Sequence, residues 1–387
     1  MNKSSWILIV IVISQFCCTS LWFAGNGVMQ DLVDSFQLNA SALGHLTSAV
    51  QFGFIGGTLI FALLAISDRY SPSKVFFICG VLAAAFNTGV IWHGHGLFTL
   101  LALRFLTGFF LAGIYPVGMK IAADYFDQGL GKSLGFLVGA LVIGTAFPHL
   151  LKSLGETLSW TYVLLATSSL SVGGGLLMMV LVADGPFRKP GPQLKPSALV
   201  GVFSNHKFRS AAIGYFGHMW ELYAFWAFVP LMLKTYADLH SPTQFNVALL
   251  SFVIIAMGGP ACVLAGYVSK GVGVKRTAAI ALSASGFCCL VSPFIFETNS
   301  EVLFIGFLLF WGIMVVADSP LFSTLVAQNT IPEIKGSVLT IVNCIGFSVT
   351  IVSIQLITAI QSHVIPSGLF VILAIGPMGG LLALRRD

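Results

Sequence analysis

Apolar residues run along this chain in long blocks separated by short polar turns. The first block, residues 6–23, opens Trp-Ile-Leu-Ile-Val-Ile-Val-Ile-Ser, and comparable blocks cover 162–182 and 303–317. About 20 apolar residues carry an α-helix across the hydrocarbon core of a bilayer. Twelve blocks qualify, near residues 6–28, 42–66, 74–93, 97–122, 133–153, 160–183, 210–233, 245–268, 277–296, 302–326, 337–360 and 367–384. The pattern therefore predicts an all-α integral membrane protein with twelve transmembrane helices. Pro116 and the glycines inside the spans fit this reading, because neighbouring helices cover the backbone groups that they free.

The polar remainder sets the organisation. The longest polar segment, 184–209, contains Gly-Pro-Phe-Arg-Lys-Pro-Gly-Pro-Gln-Leu-Lys-Pro and reads as a cytoplasmic linker. It divides the spans six and six, giving an N-terminal bundle over 1–183 and a C-terminal bundle over 210–387. Two polar turns echo each other, Ser67-Asp68-Arg69-Tyr70-Ser71-Pro72-Ser73-Lys74 after the second span and Ser269-Lys270-Gly271-Val272-Gly273-Val274-Lys275-Arg276 after the eighth. Internal repeats of this kind are a transporter signature, with the substrate site expected near the midplane between repeats.

Twelve spans put both termini on one side. With the N-terminus inside, nearly all Lys and Arg fall in cytoplasmic segments, and the opposite side holds only Lys152 and Lys234. That is the positive-inside pattern. Lys3 before the first block resembles a signal-peptide start, but no Ala-x-Ala-like site follows, so the block is read as a retained helix.

Composition agrees: 57% of the 387 residues are apolar and 9% are charged, against about 25% charged in soluble domains. There is no room for a soluble catalytic domain. Low charge and short loops point to a prokaryotic inner membrane. The seven cysteines lie inside apolar blocks without metal-ligand spacing, so neither a metal site nor a structural disulfide is expected. No cofactor or nucleic-acid partner is expected either. The eight dispersed histidines form no catalytic motif, which argues against an intramembrane enzyme.

Ionisable residues inside spans are expensive and are functional candidates by default. Glu221 lies mid-span in Gly-His-Met-Trp-Glu-Leu-Tyr. An ionised carboxylate is costly there, so Glu221 is a candidate to bind and release a proton, with a structural hydrogen bond as the alternative. Asp318, in Val-Val-Ala-Asp-Ser-Pro, is the second candidate, or else holds the turn broken by Pro320. Arg104 either neutralises an anionic substrate or buried carboxylate, or fixes its helix by bonding carbonyls of a neighbouring span. His218, three positions before Glu221, shares its helix face and offers a relay. His149 reads as interfacial, and Lys120 with Asp124 as an interfacial ion pair. Trp22, Asn26, Gln51, Tyr115, Trp220 and Tyr223 are the candidate cavity lining, since aromatics with a few polar groups suit a small organic ligand.

On these residues the chain resembles the major facilitator superfamily over essentially its whole length. The loop motif Gly-x-Leu-x-Asp-Arg-x-Gly-Arg-Arg is matched by Asp68 and Arg69, while Leu64 and Ser71 replace its glycines. The second copy keeps Gly266 and Gly273 but has Lys270 where the acid would be. The resemblance implies a cytoplasmic gate at Asp68, Arg69 and Lys270. Arg104 with Gly108 is similar to the fourth-span segment linked in the family to proton coupling, and the fifth-span antiporter motif is not properly present. Arg-Phe-Leu-Thr-Gly and Ala-Gly-Ile-Tyr-Pro are loosely similar to the nitrate/nitrite- or cyanate-type permease branch. The implied function is secondary active transport of a small organic solute by alternating access, proton-coupled, by a monomer. The alternatives are an efflux antiporter of amphipathic compounds and a non-transporting receptor on the same scaffold.

Overall fold

The computed structural model describes residues 3–39, 41–126, 130–155, 158–188, 201–240, 242–331 and 334–385, and among these it contains helices and turns but no strand. Contacts group the chain into two compact units, Met1–Leu194 and Lys195–Asp387. The boundary falls inside the polar segment 184–209, of which residues 189–200 lie outside the described residues.

Unit 1 runs α1 (Lys3–Thr19), α2 (Ala24–Gly27), α3 (Met29–Phe36), α4 (Ala42–Leu63), α5 (Ile66–Arg69), α6 (Pro72–Gly89), α7 (Leu97–Leu111), α8 (Tyr115–Tyr125), α9 (Leu130–Leu154) and α10 (Thr161–Leu181). Unit 2 runs α11 (His206–Leu239), α12 (Val247–Ala256), α13 (Gly258–Val272), α14 (Val274–Phe296), α15 (Glu301–Ala317), α16 (Ser319–Gln328) and α17 (Lys335–Ile360). It ends in a 3₁₀ segment (Pro366–Ala374) and α18 (Ile375–Arg385). Among the described residues, ten continuous or gently broken helices are long and apolar enough to cross a bilayer. The first span is a shorter apolar helix, and the seventh is the 34-residue α11, diluted by polar residues. Twelve spans result. Side chains such as Phe52, Phe98, Phe294 and Val302 stay exposed, as lipid-facing residues should.

Several spans are not the straight rods that hydropathy predicts. The first is interrupted over 20–23, the fourth over 112–114 ahead of Pro116, and the tenth at Asp318 ahead of Pro320. Proline near the start of a helix lacks only an N–H that would have no partner there, so Pro116 and Pro320 begin new helices rather than kink old ones. Pro148 instead lies within α9, which continues past it. His149 follows it on the same helix, and its side chain is buried.

Small residues set the closest packing. A methyl group on Gly53 would fall inside the carbonyl oxygen of Phe105, and one on Gly108 inside that of Val50, so α4 and α7 touch backbone to backbone. Gly312 stands against the Ile254 carbonyl in the same way in unit 2. Val50 and Ile254, Gly108 and Gly312, Pro116 and Pro320, and the buried Trp22 and Trp226 share one spacing of 204 residues. The repeat is thus written in helix contacts as well as in the loops. In the second loop Gly273 adopts φ +94°, which suits glycine, whereas Ser71 in the first has φ −59° and needs none. That difference explains why only one copy keeps this glycine.

Candidate functional site

In unit 2, α11 carries Glu221 at its middle, fully buried. Three side chains from two neighbouring helices donate to its carboxylate. Trp311 Nε1–H on α15 donates to Oε1 at 2.6 Å, Cys289 Sγ on α14 donates to Oε1 at 3.3 Å, and Ser285 Oγ, one turn earlier, donates to Oε2 at 2.9 Å. All three donors are neutral. Phe225 seats the Trp311 ring at 4.8 Å between centroids.

Ser285 Oγ also lies 3.2 Å from the carbonyl of Leu282 on its own helix. A hydroxyl has one hydrogen to donate and lone pairs to accept with, so these two bonds are alternatives. With Glu221 ionised, Ser285 donates to it. With Glu221 protonated at Oε2, the carboxyl donates to Ser285, whose hydrogen turns to Leu282. Trp311 and Cys289 remain donors to Oε1 in both states. The cage can therefore hold either protonation form without stranding a buried polar group.

One turn before Glu221 on α11, His218 Nδ1 lies 2.8 Å from Asp318 Oδ1, both side chains buried. Asp318 sits at the α15–α16 break, and its carbonyl accepts from the N–H groups of Leu321 and Phe322. Its backbone thus caps the start of α16, and its carboxylate is buried. His218 Nε2 and Asp318 Oδ2 have no hydrogen-bond partner among the described residues.

Unit 1 holds a buried cation. Arg104 Nη2 donates to the Trp22 carbonyl at 2.7 Å, and Nη1 to Asn87 Oδ1 at 3.1 Å. Trp22 lies in the interruption of the first span, and Arg104 ties its carbonyl to α7 there. Asn87 ties the arrangement to α10 by donating to Ser168 Oγ at 3.0 Å. Nearby, Asn26 Nδ2 donates to Thr47 Oγ1 at 2.8 Å, and Trp22 packs on Phe54 with ring centroids 4.7 Å apart. Gln51 is fully buried on the same helix as Thr47 and Phe54.

The remaining aromatic candidates are placed individually. Trp220 Nε1–H donates to the Ile372 carbonyl at 3.3 Å. Tyr223 packs on Trp226 and Phe347, each at 5.1 Å. Tyr115 is half-buried at the start of α8. On the loop side of unit 1, Asp68 pairs with Lys120 at 2.7 Å, so Lys120 reaches another loop rather than serving only its own helix. Arg188 pairs with Asp184 and donates to the carbonyls of Asp68 and Tyr70, at 3.1 and 2.9 Å. Arg69 is exposed. Lys270, in unit 2, is also exposed and stands 5.1 Å over the Tyr267 ring.

Sequence reasoning missed Ser285, Cys289, Trp311 and Asn87. The signal for the first two was an i, i+4 pair of small polar residues on one face of an apolar helix. Among the described residues no group of three or more His, Cys, Asp or Glu could hold a metal ion.

Residues 11–354 match the model of the Major Facilitator Superfamily. Among curated proteins, the chain is 28% identical over 158 residues to the efflux pump FUB11 of Gibberella moniliformis, covering 40% of this chain and 26% of that one. It is 31% identical over 171 residues to the 4-hydroxybenzoate transporter PcaK of Pseudomonas aeruginosa, covering 41% and 34%. The aligned stretches thus span about a quarter to a third of those relatives. Solved structures match in fold at 14% identity. They include the D-xylose-proton symporter (TM-score 0.78, covering 98% of this chain and 96% of that one) and a point mutant of the nucleoside transporter NupG (0.75, covering 98% and 99%).

Proposed function

The chain belongs to the major facilitator superfamily, a family of multi-pass membrane transporters and not of enzymes, and on that premise we propose that it is a proton-coupled carrier of a small organic solute. The observation that carries this is the neutral three-donor cage around Glu221, with Ser285 placed to serve both protonation states. Glu221 is the coupling site. The His218–Asp318 pair, one turn away, is the relay through which the proton enters or leaves. Solute moves by alternating access across the inner membrane, with both termini cytoplasmic, a reading that the Lys and Arg distribution supports. The gate rests on Asp68 and Arg69, with Lys270 at the equivalent place in the second repeat.

The balance of buried charge bears on the solute. Glu221 is met by three donors within unit 2 and Asp318 Oδ1 by His218, while Asp318 Oδ2 has no partner among the described residues. Arg104 in unit 1 is answered by a carbonyl and an amide oxygen. Arg104, a buried cation with neutral partners, favours a neutral or anionic solute. The name of the relative PcaK points to hydroxylated aromatic acids as the first class to try. Export is the second reading, favoured by the match to FUB11.

The test is transport into proteoliposomes with 4-hydroxybenzoate, D-xylose and uridine. The expected result is accumulation of one class driven by a pH gradient. Glu221→Gln should lose accumulation while keeping solute exchange. Accumulation unaffected by Glu221→Gln would remove Glu221 from the coupling step.

A further inference from the structure

We propose that Gln51 is the centre of a hydrogen-bonding subsite in unit 1, for a ligand group that donates and accepts at once: a hydroxyl, a carboxamide or an undissociated carboxyl. The proposal rests on the carrier reading and narrows its solute class. Gln51 is fully buried, and neither Nε2 nor Oε1 has a hydrogen-bond partner among the described residues. A buried amide without partners is costly, and such groups call for an explanation.

The register of α4 shows where this amide points. Residues 50, 53 and 57 meet α7 backbone to backbone. Residues 47, 51, 54 and 58 form the adjacent stripe, at helical spacing. Thr47 in that stripe accepts from Asn26, and Phe54 packs on Trp22. Gln51 thus lies between an amide–hydroxyl pair and a ring pair, facing the broken first span. Thr58, two turns on, also has a buried hydroxyl without a partner among the described residues.

Gln15 is the instructive contrast. Its amide is equally buried and also lacks a described partner. But a methyl group on Gly118 would fall inside Gln15 Oε1, so that oxygen is pressed onto α8. Gln51 has polar and aromatic side chains beside it instead. An amide offers a donor and an acceptor in one plane, so an ionised carboxylate, which only accepts, would leave Oε1 unanswered. A hydroxyl answers either atom.

The test is thermal unfolding of the purified protein in detergent with 4-hydroxybenzoate and 4-methoxybenzoate, which share ring and carboxylate but differ in the hydroxyl donor. Wild type should bind the hydroxy compound about tenfold more tightly. In Gln51→Met and Gln51→Leu that preference should vanish. Without ligand, both variants should unfold no earlier than wild type, since no described bond is lost. A preference unchanged in the variants, a wild type that binds neither probe, or early unfolding of both variants would each overturn the proposal. The carrier reading is judged separately, because Glu221→Gln should lose proton-driven accumulation while keeping the preference for the hydroxy compound.

Discussion

Asn87 is a single amide in an apolar helix, and it organises the buried cation of unit 1. It accepts from Arg104 and donates to α10. Asn87→Leu removes an acceptor from a buried guanidinium, and hydrogen bonds to charged groups are worth about 1.5–3 kcal/mol. The variant should unfold several degrees below wild type in a detergent melt, and an unchanged melting temperature would show that Arg104 does not depend on Asn87. Arg104 and Glu221 were legible in the sequence because charge inside an apolar block stands out. Asn87, Ser285 and Cys289 were not, because small polar residues are common in membrane helices and their partners lie far along the chain. Gln51 was legible as a polar residue, but only its neighbours show that its amide goes unanswered.

At the scale of elements, the spans were legible because bilayer thickness fixes their length. The interruptions were not, since the peptide groups they free are covered by tertiary contacts. Arg104 on the Trp22 carbonyl is one such contact. The α4–α7 contact gives a sharp test. Gly53→Ala forces a methyl group into the Phe105 carbonyl, whereas Gly56→Ala, one turn-face away, meets only the Phe105 ring edge at 3.9 Å. Overpacking costs about 1–3 kcal/mol, so Gly53→Ala should lower the melting temperature clearly. Gly56→Ala should leave it near wild type. Equal behaviour of the two would contradict the backbone-to-backbone contact. The same contact at Gly312 and Ile254 ties this local packing to the internal repeat.

Across the whole molecule, the two units share the helix contacts of the repeat but differ in their buried charge. Among the described residues, unit 1 buries Arg104 with neutral partners, together with His149 and Asp124, and unit 2 buries Glu221, Asp318 and His218 but no cation of the Lys or Arg type. In the reading proposed above, the proton is carried in unit 2 and the solute is contacted in unit 1. Architecture was legible from hydropathy and charge placement, because these follow from the bilayer itself, and the family from the resemblance of the Asp68-Arg69 loop. The solute was not, because it is set by a few side chains whose partners only the fold reveals. The central claim is that Glu221 takes up and releases a proton within the working range of the carrier. Infrared difference spectroscopy of the purified protein across a pH titration reads this directly, without a known solute. The account predicts a protonated-carboxyl band that grows as pH falls and is missing in Glu221→Gln. A band unchanged in Glu221→Gln, or a Glu221 that never changes protonation across the titration, would contradict it.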